Sequence, residues 1–474
     1  MFKNKIVEGF VENLKDTDNI GTTLMYSKRD YLELYKVVMD VLKRNKDADI
    51  SEIREELYKR SGVEEIVRKV YLEQLKAPGA VMSFGTCNHQ ERIIVGNKQE
   101  IVMNNGKVSI DLQEMEEDTI FDLASCTKLF TAVAMLKLAL RPDVELKDQV
   151  TKYVPEFKNL QGVTLHDLLM YLPLITEGRI DNAKDKEEAE KILLTARVKT
   201  PEEMYQKSRY NDIAPMVLKY VIEKITGMNL YDYISQTILQ PTAMTSTYVK
   251  VPGYALEKVA NNNYAIHLLP NGSTYIDQSA PIGTVTDKKA AILGQPEGNL
   301  SGHAGLFSTV KDMVNFSQGM IHGLIIHPAM YREMAKNRTQ NDRVKYDGFI
   351  YTPSYGYLCN VKNNDPKYTA IYPGLSGQSV CQTGWSGSFV GVDKLNGINV
   401  TLLSNRTHNR VLSYPDGGAQ RVKQLGLVDA SNYYFDRKLV TDICSRLALQ
   451  ERMLEEIIGD EIKNTKTEKV RILK

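Results

Sequence analysis

The chain has 474 residues, which is enough for a large hydrophobic core and for two lobes. Its 60 basic and 59 acidic side chains leave a formal charge of +1 without a dense Lys/Arg block, which argues against a nucleic acid as partner. No stretch approaches the apolar run that spans a bilayer, so we expect no membrane span.

The N-terminal sequence and the cysteines favour a cytoplasmic location. Residues 1–15 lack the apolar core of a signal peptide. The five cysteines are widely spaced without a Cys-x-x-Cys pair, which favours free thiols in a reducing compartment. The seven histidines are scattered without metal-ligand spacing, so we expect no metal site.

Residues 1–76 are predicted to be helical. Apolar residues recur near helical period at Tyr31, Leu34 and Val38, and again at Ile53 and Leu57. The pattern predicts an N-terminal helical extension that packs on the main body. A dimerisation or substrate-gating element is the alternative reading, and it would make the chain a homo-oligomer through these helices.

Strand patterns lie near both ends of the remaining chain, with a helical middle. Residues 80–84 and 92–95 predict a hairpin, and residues 379–392 and 398–403 predict strands joined by a turn at Lys394–Gly397. We therefore expect one sheet built from distant segments, with an inserted helical lobe.

These patterns divide the chain into three parts. A helical extension covers residues 1–76, a main domain covers residues 77–450, and a charged C-terminal tail covers residues 451–474. Within the main domain, residues 77–120 and 340–450 are expected to form the sheet lobe. The helical lobe is expected to cover residues from about 126 to 330.

Ser125 stands at the start of a helical pattern, three residues before Lys128. That spacing places both side chains on one face of a helix, one turn apart. A lysine held out of water loses proton affinity and can accept a serine proton, which makes the hydroxyl a nucleophile. A second Ser-x-x-Lys at Ser308–Lys311 is interpreted as a helix N-cap serine followed by a solvated lysine.

The stretch from Phe121 to Ala132 resembles the nucleophile region of class C β-lactamases, penicillin-binding proteins and related serine esterases. Tyr210-Asn-Asp212 matches the tyrosine box of that family, and Gln382-Thr383-Gly384 matches its third box. The resemblance covers about residues 77–445. It implies an α/β (α+β) serine β-lactamase-like fold, with an antiparallel sheet flanked by helices and an all-helical lobe.

The resemblance also implies a role for each of these residues. Ser125 would be acylated, while Lys128 and Tyr210 would relay its proton. Asp212 would orient Lys128, although an N-cap role for Asp212 is equally compatible with the sequence.

The third box would bind and orient the substrate through Gln382, Thr383 and Gly384. The backbone N–H groups of Ser125 and Trp385 would form the oxyanion hole. Cys126 is interpreted as a packing residue, and His303, in a Gly-His-Ala-Gly turn, as a structural one.

Two departures from the family pattern bear on the substrate. Gln382 replaces the cation or histidine of the third box, so it offers hydrogen bonds without charge to a substrate carboxylate. The segment Met170-Tyr-Leu-Pro lacks the His-Thr-Ser-Gly sequence that is common in the family. Arg209 or Arg406 could supply a positive charge instead.

The sequence favours a cytoplasmic serine hydrolase that acts through an acyl-serine intermediate on an ester, amide or D-aminoacyl substrate. The substrate would be a small molecule or a short peptide-like compound, and no cofactor is implied. A catalytically silent binding or regulatory protein is one alternative. An acyltransferase or a D-Ala carboxypeptidase is another.

Overall fold

A computed structural model describes residues 28–104, 107–204, 209–277, 280–339, 342, 344–346, 349–351, 353–362, 374–459 and 466–474. The helices in chain order are α1 Lys28–Arg44, α2 Ile50–Ser61, α3 Val63–Arg68, α4 Thr127–Leu138, α5 Val150–Tyr153, α6 Leu165–Leu169, α7 Lys186–Leu194, α8 Pro201–Met204, α9 Ile213–Thr226, α10 Leu230–Ile234, α11 Lys288–Leu293, α12 Val310–Ile321, α13 Pro328–Met334, α14 Ala419–Gln424 and α15 Tyr433–Ile458. A π-helical turn, Lys69–Glu73, follows α3, and a 3₁₀ turn, Ala124–Cys126, precedes α4.

The strands in chain order are β1 Gly79–Gly85, β2 His89–Asn104, β3 Lys107–Glu114, β4 Phe121–Asp122, β5 Leu174–Ile175, β6 Arg197–Val198, β7 Ala265–Leu268, β8 Thr274–Asp277, β9 Phe307–Ser308, β10 Val344–Tyr346, β11 Phe349–Tyr351, β12 Asn360–Val361, β13 Ser379–Thr383, β14 Phe389–Asp393, β15 Ile398–Ser404, β16 Val411–Ser413 and β17 Thr467–Leu473.

The main sheet joins strands from both ends of the chain. Its order is β12-β13-β14-β15-β1-β2-β17, and β3 also pairs with β2. The pairs are antiparallel except for β17, which lies parallel to β2. The predicted hairpins β1–β2 and β14–β15 are confirmed. The pairing of β1 with β15 joins the two hairpins and brings residues more than 300 positions apart next to each other, since Ala80 pairs with Ser404.

Helices cover both faces of this sheet. On one face, the buried residues of α1, α2 and α3 share a hydrophobic core with α15 and with the inward side chains of β1 and β2. On the other face, α4, α9 and α12 form the centre of a second core. The fold is therefore an antiparallel sheet flanked by helices, as predicted, and its helical lobe is inserted between β3 and β12.

The N-terminal helices bury the apolar stripe that predicted them. Tyr31, Leu34 and Val38 of α1 are buried, as are Ile53 and Leu57 of α2. Because their partners are α15 and the sheet, these apolar residues are used within the chain. Residues 1–27 of the predicted extension lie outside the described residues.

The C-terminal residues differ from the expected charged tail. Residues 451–458 continue α15, and β17 adds to the edge of β2 with Val470 opposite Arg92 and Leu473 opposite Val95. Arg471 fixes this strand, because its guanidinium contacts Glu91 and Glu55 at 3.1 and 2.9 Å. The many charged residues here led to the prediction of a tail. Their alternation with apolar residues is, however, the two-residue period of a strand.

Among the described residues, the helices contain no apolar segment of the length needed to cross a membrane.

Candidate active site

Asp122 stabilises the turn that carries Ser125 through hydrogen bonds with three other residues. One carboxylate oxygen of Asp122 accepts from the Ala124 N–H at 2.8 Å, and the other accepts from the Thr286 N–H at 2.8 Å. The Asp122 carbonyl accepts from Ser386 Oγ at 2.8 Å. Ala124 has a φ of +45°, an unfavourable value for a residue with a Cβ, so these bonds hold a strained turn immediately before Ser125.

Lys128 is fully buried, and its ammonium group contacts three acceptors. Its Nζ donates to Ser125 Oγ at 2.8 Å, to Asp212 Oδ1 at 2.8 Å and to the His303 carbonyl at 3.3 Å. Since an ammonium group has three protons and no acceptor lone pair, this environment matches the charged form of the lysine. The predicted contact between the serine and the lysine is present.

Asp212 occupies the N-cap position of α9 without capping it. Its side chain makes no capping hydrogen bond, whereas Asn211 Oδ1 accepts from the Ala214 N–H at 2.9 Å. Asn211 thus caps the helix, and the Asp212 carboxylate is free to pair with Lys128. The sequence allowed Asp212 either to cap the helix or to orient Lys128. In the structure Asn211 caps the helix and Asp212 pairs with Lys128.

The pKa of Lys128 shifts in the opposite direction from that expected for an isolated buried amine. Burial by itself lowers the pKa of Lys128, but Asp212 and Tyr210 more than offset this effect, so the pKa is raised above the usual 10.5. Burial would raise the pKa of Asp212, but Lys128, His303 and Lys289 together lower it below its usual 3.8. The ion pair with Asp212 therefore favours the ammonium form of Lys128. The expectation that it loses proton affinity was wrong because it left Asp212 out.

Tyr210 faces the same group. Its side chain forms hydrogen bonds with Lys128 and Ser125, and Lys128 Nζ lies 4.8 Å from the centre of its ring. Burial raises the pKa of Tyr210, and the Lys128 charge offsets this only in part. The ring packs 5.1 Å from that of Tyr171 and 6.4 Å from that of Tyr355, which fixes its orientation.

Lys289, Asp287 and His303 form a network of charged contacts with Asp212 and Lys128. Lys289 Nζ lies 2.9 Å from Asp287 Oδ2 and 3.4 Å from Asp212 Oδ2. The other oxygen of Asp287 lies 3.0 Å from His303 Nε2, and the His303 carbonyl accepts from Lys128. His303 therefore does more than shape a turn, because it links this charge network back to Lys128 beside Ser125.

The same residues are the nearest approach to a metal site among the described residues. Ligand atoms of Asp212, Asp287 and His303 lie within 4.8 Å of one another. However, the Lys289 ammonium contacts both carboxylates, so a cation of the protein itself already balances their charge.

Gln382 does not line the cavity, contrary to its expected role in substrate binding. It is fully buried, and its Nε2 donates to Tyr171 Oη at 2.9 Å and to the Leu358 carbonyl at 3.2 Å. Its Oε1 accepts from Asn360 Nδ2 and from the Thr383 N–H, both at 3.0 Å. All four hydrogen-bonding positions of the amide are thus used inside the protein.

The two departures from the family pattern form one structural unit. Gln382 stands in the third box, and Tyr171 lies in the segment that lacks the common His-Thr-Ser-Gly sequence. The hydrogen bond between them means that a buried neutral pair occupies this place.

Thr383, Gly384 and Trp385 do line the cavity; Thr383 ends β13, and Gly384 and Trp385 begin the loop that leads to β14. A Cβ atom on Gly384 would lie 2.7 Å from the Leu123 carbonyl, so glycine lets this loop approach the Ser125 turn. The Trp385 carbonyl accepts from Tyr434 Oη at 3.3 Å.

The two arginines considered as sources of charge lie elsewhere. Arg406 is buried under the loop, where it donates to the Trp385 carbonyl at 3.3 Å and stacks on Tyr434. Arg209 pairs with Asp342.

Ser125 opens onto a cavity of about 820 Å³. Its wall contains Ala124, Ser125, Asp181, Tyr210, Asp212, Asn262, Ala265, Asp277, Thr286, Asp287, Lys288, Lys289, Ala304, Tyr355, Asn360, Thr383, Gly384, Trp385 and Tyr434. This is ample room for a small molecule or a short peptide-like compound.

The other nucleophile candidates are placed as packing or structural groups. Cys126 is buried, its thiol donates to the Gln382 carbonyl at 3.6 Å, and burial raises its pKa to about 12. Ser308 lies in β9, where its hydroxyl contacts Thr247 at 2.8 Å. Thr309, one residue later than expected, caps α12, and Lys311 is exposed.

Sequence reasoning missed the supports of the site. Asp122 carried a usable signal, since a lone carboxylate within an apolar run before a nucleophile must have buried partners. Asp287 and Lys289 gave no such signal, because more than 150 residues separate them from Ser125.

Comparison with known proteins shows which family this chain resembles. The family model described as Beta-lactamase matches residues 71–421. A Salmonella gallinarum (strain 287/91 / NCTC 13346) protein named "Putative D-alanyl-D-alanine carboxypeptidase" is 28% identical over 323 residues, which is 62% of this chain and 71% of that protein.

Two solved structures show the same fold. Simvastatin synthase (LovD6 mutant) from Aspergillus terreus has a TM-score of 0.56 at 14% identity, over 82% of this chain and 96% of its own. EstCE1, a hydrolase with promiscuous acyltransferase activity, has a TM-score of 0.55 at 17% identity, over 82% of this chain and 99% of its own.

Proposed function

Because the chain belongs to the Beta-lactamase family, we propose that it is a serine hydrolase in which Ser125 forms an acyl-enzyme with an ester, amide or D-aminoacyl substrate. The observation that carries this proposal is the 2.8 Å contact between Ser125 Oγ and the buried ammonium of Lys128, at the wall of a cavity of about 820 Å³. The intact Ser125, Lys128 and Tyr210 group argues against a silent binding protein.

The proposed proton path follows from the pKa directions. Lys128 is charged, and Tyr210 keeps its phenolic proton because its pKa is raised. Ser125 Oγ attacks the carbonyl carbon while its proton moves to Tyr210 Oη, and the phenolic proton moves to the leaving group as the bond to that group breaks. Lys128 stabilises the negative charge that develops on both oxygens.

Water then releases the acyl group by the same route. Its proton passes through Tyr210 to Ser125 Oγ as the acyl–serine bond breaks. The backbone N–H groups of Ser125 and Trp385, two residues on the cavity wall, would stabilise the oxyanion in both steps.

A neutral acyl substrate is favoured, because the buried and uncharged Gln382 leaves the third box without a cation for a substrate carboxylate. A D-Ala carboxypeptidase is the second candidate. The name of the Salmonella relative supports it, and the exposed Lys288 on the cavity wall could bind a terminal carboxylate. An acyltransferase would share the acyl-enzyme and differ only in the acceptor. A cytoplasmic location stays a prediction.

Hydrolysis assays test this function. We expect wild type to hydrolyse p-nitrophenyl acetate or a peptide ending in D-Ala-D-Ala, Ser125→Ala to be inactive, and Ser308→Ala to retain activity. Stimulation of turnover by an added alcohol would identify an acyltransferase. Equal rates for wild type and Ser125→Ala on every substrate would overturn the proposal.

A further inference from the structure

Strand β3 presents an apolar face to solvent. Val108, Ile110 and Leu112 point to the same side and are 55%, 79% and 66% exposed. On the other side, Asp111 and Gln113 are half-buried, while Lys107 and Ser109 are exposed. This order is the reverse of the usual strand pattern, in which the apolar side faces the protein.

The same strand is an edge of the sheet. Its pairing with β2 runs from Asn97 opposite Glu114 to Asn104 opposite Lys107, and β2 is its one partner among the described strands. Folded proteins normally protect such edges with proline, with inward charges or with a covering element. An apolar edge of this length is typical of a surface that is covered by a partner.

We propose that two copies of this chain pair through antiparallel β3 strands, with Ile110 facing its own symmetry mate. In an antiparallel pair related by a two-fold axis, the residue numbers of any two facing residues add up to the same sum, which defines the register. The sum must be even so that the apolar residues, which have even numbers, face each other. With the sum 220, Val108 faces Leu112 of the other copy, and all three apolar residues become paired.

The neighbouring registers are less favourable. A sum of 222 places Asp111 directly opposite its own copy, and like charges in that position are destabilising. A sum of 218 leaves Leu112 without an apolar residue opposite. In the register centred on Ile110, Lys107 lies diagonal to Asp111 of the other copy, so two pairs of opposite charges lie on the face of the strands opposite the apolar residues.

The N-terminal helices offer no comparable surface in their described part. Their apolar stripe packs against α15 and the sheet, so it is used within the chain. The β3 edge therefore replaces these helices as the proposed contact between copies.

Sedimentation of the full chain tests the proposal. We expect wild type to sediment with twice the 53.6 kDa mass of the chain. Ile110→Lys places two like charges at the two-fold axis and should sediment as a single chain, with its circular dichroism and esterase activity unchanged. Tyr254→Lys is the matched control, because Tyr254 is also 79% exposed but lies outside β3, and it should leave the dimer intact.

A disulfide experiment tests the register. Cys87, the exposed one of the five thiols, is first replaced by serine, and Ile110→Cys or Val108→Cys is then added. Under mild oxidation, Ile110→Cys should link two chains, because facing Cα atoms lie about 4.5–5.5 Å apart. Val108→Cys should not link two chains, because residue 108 of one copy lies four residues along the strand from residue 108 of the other.

A monomeric wild type, or a dimer that survives Ile110→Lys, would overturn the proposal. So would cross-linking through Val108→Cys but not through Ile110→Cys. A wild-type monomer would leave a different protein as the partner that covers this face.

Discussion

The ammonium nitrogen of Lys128 lies 2.8 Å from Oδ1 of Asp212, and this ion pair sets the charge of the lysine beside Ser125. Burial alone would favour a neutral amine, but the carboxylate reverses that preference. In the mechanism we propose, Lys128 acts as a fixed positive charge and the proton of Ser125 travels through Tyr210.

Replacing Asp212 by asparagine should move the alkaline side of the pH profile. In wild type the pKa values of Lys128 and Tyr210 are raised above 10.5 and 10.0, so kcat/KM should stay level through neutral pH and fall only above pH 10. In Asp212→Asn, burial is no longer offset by the carboxylate, so the pKa of Lys128 falls and activity should be lost at lower pH.

Asp181→Asn is the control for this measurement, since Asp181 also lines the cavity but pairs with Arg179 at 2.6 Å. Its profile should match that of wild type. A wild-type kcat/KM that climbs with pH through the alkaline range would show instead that the base is a deprotonated Lys128 or Tyr210.

Removing the phenolic oxygen of Tyr210 should interrupt the proton path. Tyr210→Phe keeps the ring packing, so we expect stable protein with kcat lower by about 10²–10⁴-fold, the usual contribution of general acid–base catalysis. Stopped-flow measurement of acylation would locate the loss in the chemical step. Tyr220→Phe, which removes a hydroxyl bonded to Glu190 outside the cavity wall, should leave kcat near wild type.

Gln382→Leu tests whether the buried amide supports the cavity wall. The change leaves the buried Tyr171 Oη and Leu358 carbonyl without their donor, at about 1–3 kcal/mol for each buried group. It also removes the acceptor of the half-buried Asn360 amide and Thr383 N–H. We expect a lower urea midpoint and a reduced kcat/KM, because Asn360 and Thr383 line the cavity. Gln378→Leu, an exposed glutamine just before β13, should change neither value.

Arg471→Ala tests the integration of the last strand into the fold. Its guanidinium joins β17 to Glu91 of β2 and to Glu55 of α2, and it lies 3.6 Å from the ring centre of Tyr58. Chemical denaturation should show a loss of about 1.5–3 kcal/mol, as for hydrogen bonds to charged groups. Lys474→Ala breaks an exposed pair with Glu114 and should cost at most about 1 kcal/mol. Equal effects of the two changes would contradict the structural role of Arg471.

Local patterns predicted the local features of the fold. The hairpins β1–β2 and β14–β15 and the helix after Ser125 each carry a turn or periodicity within a short window. The β17 strand was missed because it depends on a partner nearly 380 residues away, and its own composition is that of a charged tail.

The sequence predicted which motif residues lie together, but not their charges or the directions of their side chains. Ser125, Lys128, Tyr210 and Asp212 come together, as the motifs implied. The charge of Lys128 and the inward orientation of Gln382 were not predictable, because each is decided by the distances and hydrogen bonds of the folded state. A sequence motif identifies a residue type at a position and does not fix which way its side chain points.

The most direct measurement is the intact mass of the protein after exposure to a fluorophosphonate, followed by peptide mapping. We expect one adduct on Ser125 in wild type, no adduct in Ser125→Ala, and an unchanged adduct in Ser308→Ala, which alters the second Ser-x-x-Lys. A wild-type protein that is folded but takes up no label, or a Ser125→Ala variant that is labelled equally, would contradict the assignment of Ser125 as the nucleophile.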